Sequence, residues 1–199
     1  MENENIKIGL VVMASGLGKR FGSNKLMEVL GDKPLVQWIL DSTDGLFDKR
    51  IVVTRSNDVK TLCDNLSIDC IIHELPNRND TLRLGLTALL DDIDYCFFAP
   101  GDQPLISSKT LVRLIREAKE NKDKIIKLSF GKEVGTPTGF PQKLFDELLN
   151  LPEGKGGNQV AMNNQDLVHT VDADAEYELW DIDTVPDLDK IKKLLNDSR

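Results

Sequence analysis

The chain has 199 residues, 40% hydrophobic and 29% charged, which is enough to bury a sizeable core and suits one domain spanning 1–199. Its 33 acidic residues outnumber 25 basic ones, for a net charge of -8, and this excludes a non-specific nucleic-acid binder, which needs a basic face to neutralise phosphates. The three cysteines, Cys63, Cys70 and Cys96, are odd in number and contain no CxxC pair, so a zinc site or disulfide framework gives way to buried thiols in a reducing cytosol.

Residues 1–5 are polar and acidic, and the apolar run Ile8 to Ala14 is too short to cross a membrane. The expectation is a cytoplasmic protein with no membrane or nucleic-acid partner. Ile6 to Met13 is a continuous run of branched residues, the pattern of a strand buried on both faces. Pro34 suits the first turn of a helix to about Ser42. Arg50 to Thr54 is a second buried strand, and Asn57 caps a helix to about Leu66. A short strand covers Asp69 to His73, a helix Asp80 to Leu90, and a third buried strand Tyr95 to Ala99.

Ser107 or Ser108 caps the next helix, to about Asn121, and Ile125 to Ser129 is a strand. Gly135 to Pro141, with two glycines and two prolines, reads as a turn-rich substrate loop. Helices follow at Lys143 to Leu149 and Gly157 to Asn163, then strands at Leu167 to Val171 and Glu178 to Ile182. A last helix runs from about Val185 to Leu195. Repeated alternation of strand and helix predicts a mostly parallel sheet with helices on both faces.

Residues 13 to 25 read Met-Ala-Ser-Gly-Leu-Gly-Lys-Arg-Phe-Gly-Ser-Asn-Lys and follow the first strand directly. In open α/β sheets this is where ligands sit. Ala14, Ser15 and Gly16 let a flat base approach the backbone, and Gly16 and Gly18 let amides turn toward anionic oxygens. Lys19, Arg20 and Lys25 supply positive charge for a polyphosphate. A dinucleotide fingerprint fails, because Phe21 stands where the third glycine belongs. A P-loop fails, because Arg20 follows Gly18-Lys19. A plain strand-to-helix turn is the bland alternative, and the cluster of small residues with three cations weighs against it.

Asp102, in Gly-Asp-Gln-Pro after the third buried strand, faces the same crevice. A carboxylate there suits magnesium, although a turn aspartate before Pro104 is common. At strand spacing Asp181 and Asp183 share a face; Asp181 is expected at the metal, and Asp183 or else Thr184 as the cap of the last helix. Arg78, Thr81 and Arg83 lie near a helix N-terminus, which favours anions, with Asp80 an ordinary cap. His73 and His169 read as structural or exposed.

In this order the motifs resemble the nucleotidyltransferases that make dinucleotide forms of the molybdenum cofactor, and most closely their cytidylyltransferase branch. The pattern Leu-Ala-Ala-Gly-x-Gly-x-Arg-x-Gly-x-x-Lys is matched from Met13 through Ala14, Ser15, Gly16, Gly18, Arg20 and Gly22 to Lys25. Ser-Leu-Arg-x-Gly appears as Thr81 to Gly85, Gly-Asp-Gln-Pro as Gly101 to Pro104, and the family ending Asp-Ile-Asp-Thr-Pro-Glu-Asp-Leu as Asp181 to Leu188.

The resemblance implies a three-layer α/β/α sandwich with a mostly parallel, Rossmann-like sheet, similar to nucleotide-diphospho-sugar transferases. It implies transfer of a nucleoside monophosphate to a phosphate acceptor of the molybdopterin type, with release of pyrophosphate. Arg20, Lys25 and Asp102 would be catalytic. Ala14, Ser15, Gly16, Gly18, Lys19, Arg20, Lys25, Arg78, Thr81 and Arg83 would hold the nucleotide, and Asp102 with Asp181 would hold Mg2+ or Mn2+. A molybdenum hydroxylase is the implied partner.

The second small residue of the loop is Ala in cytidylyl enzymes and Gly in guanylyl enzymes. Ser15 stands there and matches neither, so the base rests on the resemblance to the cytidylyl branch, which favours CTP and leaves GTP open. Residues 77–80, Asn-Arg-Asn-Asp, depart from the family and resemble the cytidylyltransferases of isoprenoid synthesis. Methylerythritol phosphate and sugar phosphates therefore remain alternative acceptors. A non-catalytic cofactor carrier is the alternative outside the enzymes.

Overall fold

The computed structural model describes residues 6–16 and 24–197, with the side chain of Arg78 also outside the description. The first strand, β1 (Ile8–Ala14), lies in the interior of a seven-stranded sheet, in keeping with its continuous apolar run. A two-residue hairpin, β2 (Val29–Leu30) and β3 (Lys33–Pro34), leads into α1 (Leu35–Ser42). Then follow β4 (Lys49–Thr54), α2 (Asn57–Asn65), β5 (Cys70–Ile72), α3 (Arg78–Leu89), β6 (Tyr95–Pro100) and α4 (Ser108–Glu120). The second half holds β7 (Ile125–Phe130), β8 (Glu133–Pro141), α5 (Phe145–Leu149), α6 (Gly157–Asn163), β9 (Val168–Asp172) and α7 (Val185–Asp197).

The strand order is β5-β4-β1-β6-β8-β7-β9. All neighbouring pairs are parallel except those made by β8, which runs against both β6 and β7. Helices α1, α2, α4 and α7 pack on one face, through Leu35, Ile39, Val59, Leu111, Leu114 and Ile191. On the other face α3, α5 and α6 pack through Leu82, Leu86, Phe145, Leu148 and Val160. The result is the three-layer α/β/α sandwich with a mostly parallel sheet. Close packing of α3 depends on Gly85, where a Cβ would lie 2.4 Å from Cγ1 of Val11.

Two elements differ from the sequence reading. Gly135 to Pro141 is not a loop but most of β8, inside the sheet. Proline lacks a ladder donor and is tolerated where the register breaks. The β7–β8 register does shift between Lys127 and Ser129, and this leaves residues 135–137 in a bulge. Gly139 is small because a Cβ there would meet the rings of Tyr95 and Phe97 at 2.5 and 2.6 Å.

Glu178 to Ile182 is not a strand. Residues Glu176–Leu179 form a 3-10 turn. The buried Glu178 carboxylate accepts from Ser107 N at 3.0 Å and Asp174 N at 3.2 Å, drawing the chain over the start of α4. Smaller corrections concern caps: Ser56, not Asn57, caps α2 by accepting from Val59 N, and Ser107 caps α4. Among the described residues all three cysteines are free thiols, and no helix is long and apolar enough to cross a membrane.

Candidate functional site

The carboxyl ends of β1, β4 and β6 converge on one crevice because their registers align Met13 with Val53 and with Pro100. Ala14 ends β1, its carbonyl accepting from Thr54 Oγ1 at 2.9 Å. Gly16 is exposed at the lip. The predicted phosphate-binding residues Gly18, Lys19 and Arg20 lie outside the described residues. The chain returns at Asn24, whose Nδ2 donates to Ser56 Oγ at 2.6 Å and ties the loop's exit to the start of α2.

Lys25 follows, and it is almost fully buried at 6% exposure. Its Nζ donates to Asp102 Oδ2 at 2.6 Å, to Asp183 Oδ1 at 2.9 Å and to the Ile182 carbonyl at 2.8 Å. Burial by itself pulls the ammonium's pKa down. The charge of Asp102 and its hydrogen bond, then those of Asp183, outweigh this and hold Lys25 above its ordinary value. All three donors of the ammonium are used, so the lysine is charged and fixed.

The carboxylate that meets Asp102 across Lys25 is Asp183, while Asp181, the carboxylate expected at the metal, is exposed, as is Asp183. The segment is not a strand, so spacing of two does not decide its faces. Ile182 is buried and its N–H donates to the Asp102 carbonyl at 3.0 Å. Thr184 and Asp187 cap α7 reciprocally: Thr184 Oγ1 accepts from Asp187 N at 3.4 Å, and Asp187 Oδ2 accepts from Thr184 N at 2.8 Å and Thr184 Oγ1 at 2.7 Å.

Gln103, unremarked in the sequence beyond its motif, is 1% exposed. Its Nε2 donates to the Thr136 carbonyl at 2.9 Å and the Glu178 carbonyl at 2.7 Å, and its Oε1 accepts from Thr136 Oγ1 at 2.9 Å. The residue beside Asp102 thus bolts β6 to the start of β8 and to the C-terminal segment.

Beside the end of β1 lies a residue that sequence reasoning set aside. His73 continues from β5, its N–H donating to the Thr54 carbonyl at 3.0 Å. Its Nε2 lies 2.9 Å from Ser15 Oγ and 3.3 Å from Thr81 Oγ1. Ser15 Oγ also donates to the Val53 carbonyl at 3.1 Å. Two predicted nucleotide residues, Ser15 and Thr81, are therefore joined through one imidazole, whose Nδ1 is buried without a partner among the described residues. Burial, followed by the nearby Arg55 charge, lowers the His73 pKa against the smaller pull of Asp80, so the ring is neutral near pH 7. The sequence signal, a histidine ending the strand next to the loop, was present but has no motif.

Arg83 is committed to Asp80, and Asp80 closes the start of α3 by accepting from Asn77 N at 2.9 Å. That bond and then Arg83 hold the Asp80 pKa below the usual carboxylate value. His169 is exposed beside Glu117. Lys25 thus meets Asp102, Ser15 and Thr81 meet at His73, and Arg83 turns back to its own helix.

The MobA-like NTP transferase domain family matches residues 10–170, which leaves Asp183 beyond the match. A probable molybdenum cofactor guanylyltransferase of Natranaerobius thermophilus is 28% identical over 127 residues, 60% of this chain and 58% of that protein. A 2-C-methyl-D-erythritol 4-phosphate cytidylyltransferase of Endomicrobium trichonymphae is 30% identical over 122 residues, 59% of this chain and 56% of that one. The chain spans little more than half the length of these curated relatives. Among solved structures, Rv0371c of Mycobacterium tuberculosis H37Rv superposes with a TM-score of 0.85 at 24% identity, covering 94% of this chain and 98% of that one. The same protein is also known in a complex with manganese. With the family match covering most of its length, the chain belongs to the MobA-like NTP transferase family.

Proposed function

We propose that this protein transfers CMP from CTP to the terminal phosphate of a molybdopterin-type acceptor and releases pyrophosphate, with Mg2+ or Mn2+. The observation that carries the reading is the Lys25 ammonium clamped between Asp102 and Asp183 at the foot of the glycine loop. Two carboxylates and a carbonyl are hard oxygen donors, a set that suits a divalent ion completed by phosphate oxygens and water. Asp102 and Asp183 would hold the ion, and its charge would offset that gathering on the transferring phosphorus.

In the reaction an acceptor phosphate oxygen forms a bond to the α-phosphorus, and the bond from that phosphorus to the β-phosphate bridging oxygen breaks. The acceptor phosphate is already ionised, so no side-chain base is needed. Lys25, released from its carboxylates, turns its donors to the triphosphate. Arg20 and Lys19, with the amides of Gly16 and Gly18, complete the phosphate cradle. Catalysis of this kind is mainly positioning and charge neutralisation.

Ser15 supports CTP over GTP. Its hydroxyl points to the Val53 carbonyl and His73, so its outer surface resembles alanine, and its Cβ takes room a purine could use if the residue were glycine. The name of the Natranaerobius relative favours a molybdopterin acceptor but a guanine base, and that of the Endomicrobium relative a cytosine base with methylerythritol phosphate. The test incubates the protein and Mg2+ with CTP or GTP and each acceptor, and follows pyrophosphate. Release with CTP and molybdopterin alone is expected. Release only with GTP, or only with methylerythritol phosphate, would overturn that half of the proposal.

A further inference from the structure

One residue of the sheet is chemically out of place. Lys127 sits in the middle of β7, in Ile-Ile-Lys-Leu-Ser-Phe, and is 8% exposed. Its Nζ makes one hydrogen bond among the described residues, to Asn158 Oδ1 at 2.8 Å, and no ion pair. Burial lowers its pKa, with no carboxylate opposing the effect. A desolvated ammonium with one neutral partner leaves two N–H donors unused. Asn158 accepts with its oxygen, so its amide nitrogen also faces outward as a donor, on an exposed residue. The stem of a lysine can cover apolar surface while its head reaches water, but that does not account for a head group held at Asn158.

The register places this donor set. Lys127 pairs with Thr138, Thr138 with Phe98, and Phe98 with Val11, one row across the sheet. Phe98 and Val11 face α3, so Lys127 faces the same side. The next row on that face ends at Pro100, just before Asp102. Two strand spacings, about 10 Å, separate β6 from β7. Lys127 therefore stands across β8 from the strand that leads to Asp102, on the side away from β1.

We propose that Lys127 and Asn158 form an oxyanion site that receives an anionic group, a phosphate or carboxylate, of the acceptor. The site rests on the nucleotidyltransferase reading and adds the residues that recognise the second substrate. It gives the buried ammonium the counter-charge it lacks, and it works only for an acceptor carrying an anionic group beyond the one that reacts.

The test titrates inorganic phosphate, at ionic strength fixed with sodium chloride, into wild-type protein and into Lys127→Met and Lys127→Arg. Mass spectrometry then maps which lysines phosphate shields from an amine-acylating reagent. Shielding of Lys127 is expected, with phosphate bound about tenfold more weakly by Lys127→Met and nearly unchanged by Lys127→Arg. In the transfer assay Lys127→Met should raise the KM for the acceptor about tenfold and leave the KM for the triphosphate unchanged.

The wild-type shielding pattern decides the matter even if Lys127→Met does not fold. Shielding confined to Lys25 and the glycine-loop lysine overturns the proposal. So does shielding of Lys127 with an unchanged acceptor KM, which would assign the site to free phosphate. The phosphate arm needs no turnover, so failure of every acceptor would sink the transferase reading and leave this site measurable.

Discussion

Lys25 and Lys127 are both buried lysines, and their surroundings are opposite. Lys25 is neutralised by two aspartates and a carbonyl, and those partners raise its pKa against burial. Lys127 meets one amide oxygen, and burial lowers its pKa unopposed. The first arrangement is complete within the chain and has to be opened by a ligand. The second is incomplete and is satisfied by one. A buried cation with protein counter-charges marks where a ligand exchanges partners, and one without them marks where a ligand brings its own charge.

The largest effect should come from removing the shared partner. Asp102→Asn is expected to reduce pyrophosphate release by about 100-fold or more, with the far-ultraviolet circular dichroism unchanged; turnover within a few-fold of wild type would take Asp102 out of the mechanism. Next comes Lys25→Met, which should weaken triphosphate binding about tenfold and lower thermal stability by leaving two carboxylates facing each other. Calorimetry would read both.

Lys127→Met should do the reverse to stability. Losing a desolvated charge is expected to raise stability by about 1 kcal/mol, or roughly 2–4 °C in Tm. Opposite signs of ΔTm for the two methionine variants would establish the contrast, and equal signs would abolish it. The smallest effect is at His73. His73→Asn should change the CTP-to-GTP preference by about tenfold or less, the worth of one hydrogen bond.

His73 also sets a pH dependence with a definite sign. Its folded pKa lies below the unfolded value of about 6.5. In the window between them the unfolded chain binds more protons, so stability rises with pH there. The contribution is complete above about pH 6.5 and is lost as pH falls. Thermal melts from pH 5 to 7.5 should show this slope in the wild type and lack it in His73→Asn.

Much of the fold was legible because it follows local rules. The continuous apolar runs of β1, β4 and β6 suit strands buried on both faces, and Ser107 before α4 is an ordinary helix start. What failed was long-range. The prolines and glycines of β8 look like a loop until a bulge accommodates Pro137 and two aromatic rings claim the space at Gly139. Glu178 looks like a strand residue until its carboxylate finds Ser107, 71 positions away.

At the site, Lys25 and Asp102 could be named because a motif carries them. That Asp183 meets Lys25 was not legible, since strand spacing was assumed where a 3-10 turn and a pinned Ile182 decide the path of the chain. His73 and Lys127 belong to no motif. Their meaning appears only when Ser15 is found at one ring and Asn158 at one ammonium.

The amide of Gln103 joins residues that are far apart along the chain. During synthesis a ribosome would deliver every strand before it delivered Glu178, Ile182 and Asp183. A nascent chain ending near Ala173 would already own its whole sheet yet lack half of the lysine clamp and one end of the Gln103 brace. The lysine clamp is thus completed only after the whole sheet has been delivered.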